Sequence, residues 1–148
     1  MAGQVGRVTH LNPEGMLRNP AFTQVVAVEG NTRTIYVGGQ DAVDAEGAII
    51  GAGDIGVQTT QALANVERAL AGAGARLEHV VKWTVYVVAG QPAEPGFRAF
   101  LEAWGDRGAP PTITVAYVSA LANPEFLIEI DAVAVVPLSE TGDALPSG

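Results

Sequence analysis

The chain has 148 residues, 48% of them hydrophobic, with no break in composition, which is room for one well-filled domain of mixed helices and strands. It contains no cysteine, which excludes disulfides, thiol nucleophiles and cysteine-ligated metals and predicts a cytoplasmic address. A formal net charge of −8 with Lys+Arg 8 opposes binding to a phosphate backbone, so nucleic acid is not an expected partner. The first residues lack the apolar core of a signal peptide, and no apolar run approaches the roughly 20 residues needed to cross a bilayer, so no membrane partner is expected.

Residues 1–20 contain Asn12-Pro13-Glu14-Gly15 and Asn19-Pro20, both turn-forming, and predict an irregular leading segment. Phe22 to Glu29 is rich in Val, Glu29-Gly30-Asn31-Thr32 can turn, and Thr34 to Val37 is β-branched, which together predict a first hairpin. It ends at Gly38-Gly39-Gln40, where adjacent glycines either make a bulge or turn, or admit another group close to the backbone. Asp41 to Gly47 reads as a polar connection, and Ala48-Ile49-Ile50 is at most a short strand.

Gly51-Ala52-Gly53-Asp54-Ile55-Gly56 matches G-x-G-x-x-G, but the dinucleotide fingerprint needs a firm strand before it and an acid ending the next strand. Neither is present. Asp54 is better explained as the N-cap of a helix. Val57, Leu63, Val66 and Leu70, with Ala62 and Ala69, recur at helical spacing, and Gln58, Gln61, Glu67 and Arg68 fall on the other side. Gly72 or Gly74 ends this helix, and His79 to Val88 follows as a strong strand. If that strand pairs in parallel with the one before the helix, the connection is a right-handed crossover.

Gly90 to Gly96 is a Pro-containing loop, and Phe97, Phe100, Leu101 and Trp104 share one face of a second helix as core aromatics and aliphatics. Thr112 to Leu121 is a strand, and Asn123-Pro124 turns it into Phe126 to Val136. On that last strand Phe126, Ile128, Ile130, Ala132 and Ala134 make one apolar face, and Glu129 and Asp131 share the other with Leu127, Val133 and Val135. Residues 1–138 form the predicted domain, with 139–148 a flexible polar tail.

No zinc or iron site is visible, because His10 and His79 are not at ligand spacing with an acidic pair, and no Gly-x-Ser-x-Gly elbow supports a serine triad. Glu129 is left. Either its face is wet or it pairs with an arginine, or it is a carboxylate in a dry cleft that exchanges protons with water and a leaving amine.

Several stretches carry a resemblance: Tyr36-Val-Gly-Gly-Gln40, Gln58-Thr-Thr-Gln-Ala-Leu-Ala-Asn-Val66, Ala73-Gly74, Val80-Val-Lys-Trp-Thr-Val-Tyr-Val87 and Ile128-Glu-Ile-Asp-Ala-Val-Ala134. In this order, over residues 20 to 136, they resemble the YjgF/RidA family. The resemblance implies an α+β, chorismate-mutase-like fold with a mixed β-sheet and two helices packed on one face. It also implies a homotrimeric barrel with the sheets inside and three clefts between subunits. In active members those clefts hydrolyse reactive enamines and imines, such as aminoacrylate, to a keto acid and ammonia without a cofactor. The family glutamate falls on Glu129, which positions and activates water, and backbone groups at Gly38 and Gly39 help hold the substrate.

Active members also carry an arginine after a Pro-Ala pair that grips the substrate carboxylate. Here the stretch is Pro110-Pro111-Thr112-Ile113-Thr114, so that position falls on Ile113, or on Thr112 if the prolines align differently. Gly38 replaces a common serine, and Phe22 stands for a tyrosine at the cleft entrance. Arg98 lies near a family asparagine and either reaches the cleft or stays on the surface. Tyr117, on a strand expected beside Glu129, either adds a polar tip or packs. The reading that follows is an imine or enamine deaminase whose substrate lacks the usual carboxylate. The alternative is a non-catalytic trimer that binds a small metabolite. Ribonuclease activity, attached to some members, is opposed here by the acidic balance.

Overall fold

The computed structural model describes residues 3–146, so Met1 and Ala2 of the leading segment and Ser147 and Gly148 of the tail lie outside the described residues. Six strands and two helices follow one another as β1 (Arg7–Leu11), β2 (Val25–Glu29), β3 (Thr32–Gln40), α1 (Ile55–Gly72), β4 (Val80–Val88), α2 (Ala93–Trp104), β5 (Thr112–Val118) and β6 (Ile128–Pro137). The main sheet runs β3-β6-β4-β5. β4 and β5 are parallel, and β6 is antiparallel to both of its neighbours. This is the α+β architecture with a mixed sheet and two helices.

Two expectations fail at the start of the chain. Arg7–Leu11 is a strand inside the segment read as irregular, and it pairs with β2 in a separate two-stranded ribbon. Its only β-branched residues are the pair Val8-Thr9, too short a run to mark a strand locally, so the pairing partner makes it one. β2 and β3 also do not form the expected hairpin, since β2 pairs with β1 and β3 with β6. The intervening Asn31 is committed elsewhere: its N–H donates to the Gln4 carbonyl at 2.7 Å, and its carbonyl accepts from Leu138 N at 2.9 Å. Gly30 at φ 75° lets the backbone pass so close to Val5 that a Cβ would lie 2.3 Å from the Val5 carbonyl oxygen.

The crossover through α1 does not join neighbours either, because β6 inserts between β3 and β4. The parallel neighbours are β4 and β5, linked through α2. β6 is the strand around which the sheet is built, with β3 and β4 on its two sides. Ile128, Ile130, Ala132, Ala134 and Val136 are buried beneath the helices, while Glu129, Asp131 and Val133 on the alternate face are half-buried. Each face follows from the period of two.

α1 begins where Asp54 Oδ1 accepts from Val57 N at 3.1 Å, as a helix N-cap should. Its buried side chains include Leu63, Val66 and Leu70, but Val57 and Ala69 are exposed and Gln58 is completely buried. Gln58 Nε2 donates to the carbonyls of Gly51 and Glu125, and its Oε1 accepts from Leu127 N at 2.9 Å. One amide thereby ties the turn before α1 to the start of β6, which is why a polar residue occupies a core position.

α2 starts at Ala93, earlier than its aromatics suggested, because Pro95 falls in the first turn where proline is tolerated. Gly56 and Gly96 let the two helices approach: a Cβ on Gly96 would lie 3.2 Å from Thr59 Oγ1. Phe97 and Leu101 are about half exposed, while Phe100 packs edge-to-face on Trp83 with ring centroids 5.5 Å apart. Residues 139–145 fold back on the domain, with Ser139 N donating to Asp143 O and Leu145 N to Pro137 O. Among the described residues no helix is long and apolar enough to cross a membrane.

Replacing Gln58 by Leu leaves two carbonyls and the Leu127 N–H without their partner. The expected loss is about 3 kcal/mol, from the desolvation of buried polar groups. Urea unfolding of wild type and Gln58→Leu checks this, and equal stabilities would mean that the clamp contributes nothing.

Candidate functional site

The sheet face turned away from the helices is built in rows. Glu129 on β6 stands opposite Tyr86 on β4, which stands beside Ala116 on β5. The next row is Asp131, Thr84 and Thr114, and the one after it Val133, Lys82 and Thr112. Among the described residues Lys82 is the one basic residue on this face of the main sheet, and its Nζ donates to Thr114 Oγ1 at 3.2 Å.

On the other side of β6 the pairing with β3 slips. Val37 opposes Ala132, but Gln40 opposes Ile130, so Gly38 and Gly39 form a bulge containing one extra residue. Beyond the bulge that register carries Asp41 opposite Glu129. Gly39 has no room for a side chain, since a Cβ there would lie 2.7 Å from Glu129 Cδ. The Glu129 carboxyl therefore rests directly on backbone. Gly38 is open, and its carbonyl accepts from Gln40 Nε2 at 3.1 Å.

Asp41, read from sequence as part of a polar connection, is the residue at this site that sequence reasoning missed. Its backbone carbonyl accepts from Asn65 Nδ2 on α1 at 2.9 Å, and Asn65 also reaches the Val43 carbonyl. Its Oδ1 is buried with no hydrogen-bond donor to satisfy it. Burial, then the Glu129 charge and a side-chain hydrogen bond to Glu129, push the Asp41 carboxyl up to about 7. The available signal was the glycine pair, because a bulge changes which residue faces the glutamate.

The residues singled out from sequence fall into two groups, with Arg98 apart from both. Gly38, Gly39, Thr112 and Thr114 share the Glu129 side of the sheet. Thr112 is thus the one of the two arginine-equivalent positions that faces the glutamate's side, with its Oγ1 donating to Val81 O at 2.8 Å. Ile113 pairs with Trp83 on the helix side. There Ile113, Tyr117 and Phe22 line an apolar cavity of about 290 Å3 together with Trp83, Phe100 and Trp104. Phe22 is held at this cavity by Thr23, whose N–H donates to Pro111 O and whose Oγ1 donates to Pro110 O. Tyr117 does not lie beside Glu129, since β4 separates β5 from β6. Arg98 sits on the exposed side of α2, paired with Glu94 at 2.7 Å. Among the described residues no group of His, Asp and Glu is arranged to hold a metal ion.

The chain has counterparts among known proteins. The endoribonuclease L-PSP family model matches residues 17–136. A RutC family protein of Synechocystis is 32% identical over 120 residues, covering 78% of this chain and 86% of its own length. One from Pyrococcus abyssi is 35% identical over 113 residues, covering 76% and 84%. Among solved structures, a Rid family protein of unknown function from Yersinia pestis matches with a TM-score of 0.72 at 36% identity, covering 90% of this chain and 98% of that one. The chain belongs to this family, known as Rid, YjgF, RutC or L-PSP.

The Asp41 proton has a stability consequence. In the folded chain it is held to about pH 7, whereas an unfolded aspartate releases it near 3.8. The folded state binds the extra proton between those values, so this contribution is fully present below about 4 and is lost as pH rises through 7. Asp41→Asn is therefore expected to be neutral only below about pH 4, and to stabilise clearly more at pH 8 than at pH 5. After discounting for screening at a carboxyl that is only partly buried, the gain at pH 8 is about 1 kcal/mol, roughly 3 °C in Tm. Thermal melts at both pH values check it, and a gain of equal size at pH 5 would contradict the assignment.

Proposed function

We propose that the chain hydrolyses a reactive imine or enamine to a carbonyl compound and ammonia, with Glu129 as the base that activates water. The observation that supports this most directly is the Glu129 carboxyl resting on the bare backbone of Gly39, half-buried on the open face of a central strand. In that position it is fixed in orientation and open on one side. Water adds to the carbon of the C=N group in its protonated, iminium form while Glu129 takes one of the water protons, which gives a neutral carbinolamine. Glu129 returns that proton to the nitrogen, the C–N bond breaks as the hydroxyl proton passes to Glu129 or bulk water, and the carbonyl compound and ammonia leave.

The reading includes assembly into a homotrimer with the substrate between subunits. Tyr36 is 80% exposed on the Glu129 side of the sheet, next to Val133, which is apolar surface that a second copy would cover. Within one chain Thr112 lies in the row of Val133, roughly 13 Å along the strand direction from Glu129. A small imine does not span that distance, so a cleft using both positions draws them from two copies.

With threonine where active relatives are expected to carry a carboxylate-gripping arginine, the favoured substrate is an imine without a carboxylate. The chemistry supports no cofactor. A formal charge of −8 continues to argue against ribonuclease activity, whatever the name of the matching family model.

Ammonia release from freshly generated imines, one uncharged and one bearing a carboxylate, tests the reading. Wild type should accelerate the uncharged imine, and Glu129→Gln should be slower by about a hundredfold or more. Thr112→Arg should improve kcat/KM for the carboxylate-bearing imine by about tenfold, the equivalent of one added charge-assisted contact. A folded wild type inert toward both imines would leave the chain as a binder of small metabolites. Activity unaffected by Glu129→Gln would remove the base from this mechanism.

A further inference from the structure

We propose that Asp41 and Glu129 hold a single proton between them, and that through Glu129 Asp41 acts as a positioning residue that keeps the pair at one negative charge near neutral pH. Three geometric facts carry the inference. The Gly38-Gly39 bulge shifts the register by one residue, which turns Asp41 and not Gln40 toward Glu129. Gly39 lets the glutamate carboxyl lie directly against the β3 backbone, two residues before Asp41. Asp41 Oδ1 is buried with no donor, and the acidic group within hydrogen-bonding reach is Glu129. Two ionised carboxylates have no proton with which to bond, so one proton supplies the missing donor.

The neighbouring charges do not offer an alternative partner. Asp131 stands two residues along β6, Tyr86 stands opposite on β4, and Tyr36 lies further along β3. Lys82 is four residues away in register, engaged with Thr114. Asp44 in the same loop accepts from Glu46 N and Ala48 N. From α1 the groups facing this loop are the neutral Gln61 and Asn65.

The functional meaning rests on the hydrolase reading. A protonated Asp41 that donates to Glu129 fixes the orientation of the base and leaves it ionised to receive the proton of water. When the pair loses its proton the site gains a second negative charge. Exclusion of carboxylate-bearing imines then becomes steeper as pH rises through neutrality, with no arginine at Thr112 to offset it.

Carbon-13 NMR titration of carboxyl-labelled aspartate in the full chain tests the proposal, with the Asp41 signal assigned by its loss in Asp41→Asn. The expected result is an Asp41 midpoint near 7 in wild type that falls by about one unit or more, tenfold in proton affinity, in Glu129→Gln. A wild-type midpoint in the ordinary aspartate range overturns the proposal, and that arm does not depend on the variant folding. A midpoint unmoved by Glu129→Gln overturns it as well. The kinetic arm follows the ratio of kcat/KM for uncharged over carboxylate-bearing imine from pH 6 to 8. It should rise several-fold in wild type and stay flat in Asp41→Asn, and an equal rise in both denies Asp41 its positioning role. A raised Asp41 midpoint in a protein inert to both imines would establish the shared proton and overturn the hydrolase reading alone.

Discussion

The contact between Glu129 and the backbone at Gly39 sets the terms for everything else at the site. A side chain at Gly39 would meet the glutamate at 2.7 Å from Cδ, so β3 could then keep its place or Glu129 could keep its own, but not both. The bulge at the same point displaces β3 by one residue and chooses which side chain faces the acid. A local irregularity of backbone thus decides the chemistry on a neighbouring strand. Sheet bulges commonly re-aim side chains, and here the re-aimed one is a second carboxyl.

α1 supplies the support for both strands that carry those acids. Gln58, Gln61 and Asn65 recur at three- and four-residue spacing and form a polar stripe along a helix whose adjacent stripe, Ala62, Val66 and Leu70, fills the core. Gln58 holds the backbone leading into β6, and Asn65 holds the backbone leading out of β3. Gln61 bonds Asn65 and braces it. The helix face that positions the site is polar because the groups it must satisfy are strand ends, whose carbonyls and N–H groups have no ladder partners.

Much of the fold was legible. The continuous apolar strand at β6, the capped α1 and the Val-rich β4 have the periods and end signals that local physics dictates, and Glu129 stood out as a carboxylate among apolar neighbours. What was not legible depends on partners distant in the chain. Arg7–Leu11 becomes a strand only against β2, and Gln58 looks solvated until the loop at Glu125 is folded over it. Thr112 and Ile113 could not be told apart by residue type, because which of them faces Glu129 is fixed by the register of β5 on β4. Asp41 was hidden for the same reason: its facing depends on one extra residue in the bulge, and polar residues after a glycine pair usually mark a turn.

The Gln58 clamp also bears on how the site is lost. The Leu127 amide is held by a side chain of α1 and not by a neighbouring strand. It can be released only when the helix leaves the sheet and exposes Val66 and Leu70 to water. Glu129, two residues further on, inherits that dependence. The Glu129 face, though open to solvent, then belongs to the same cooperative unit as the core, so slow amide exchange at Leu127 would report on the integrity of the site and of the whole domain together. A fluctuation that spoils the geometry without unfolding the domain has to arise in the loop after β3, where the side chains of Asn65 and Gln61 restrain the backbone from the helix side.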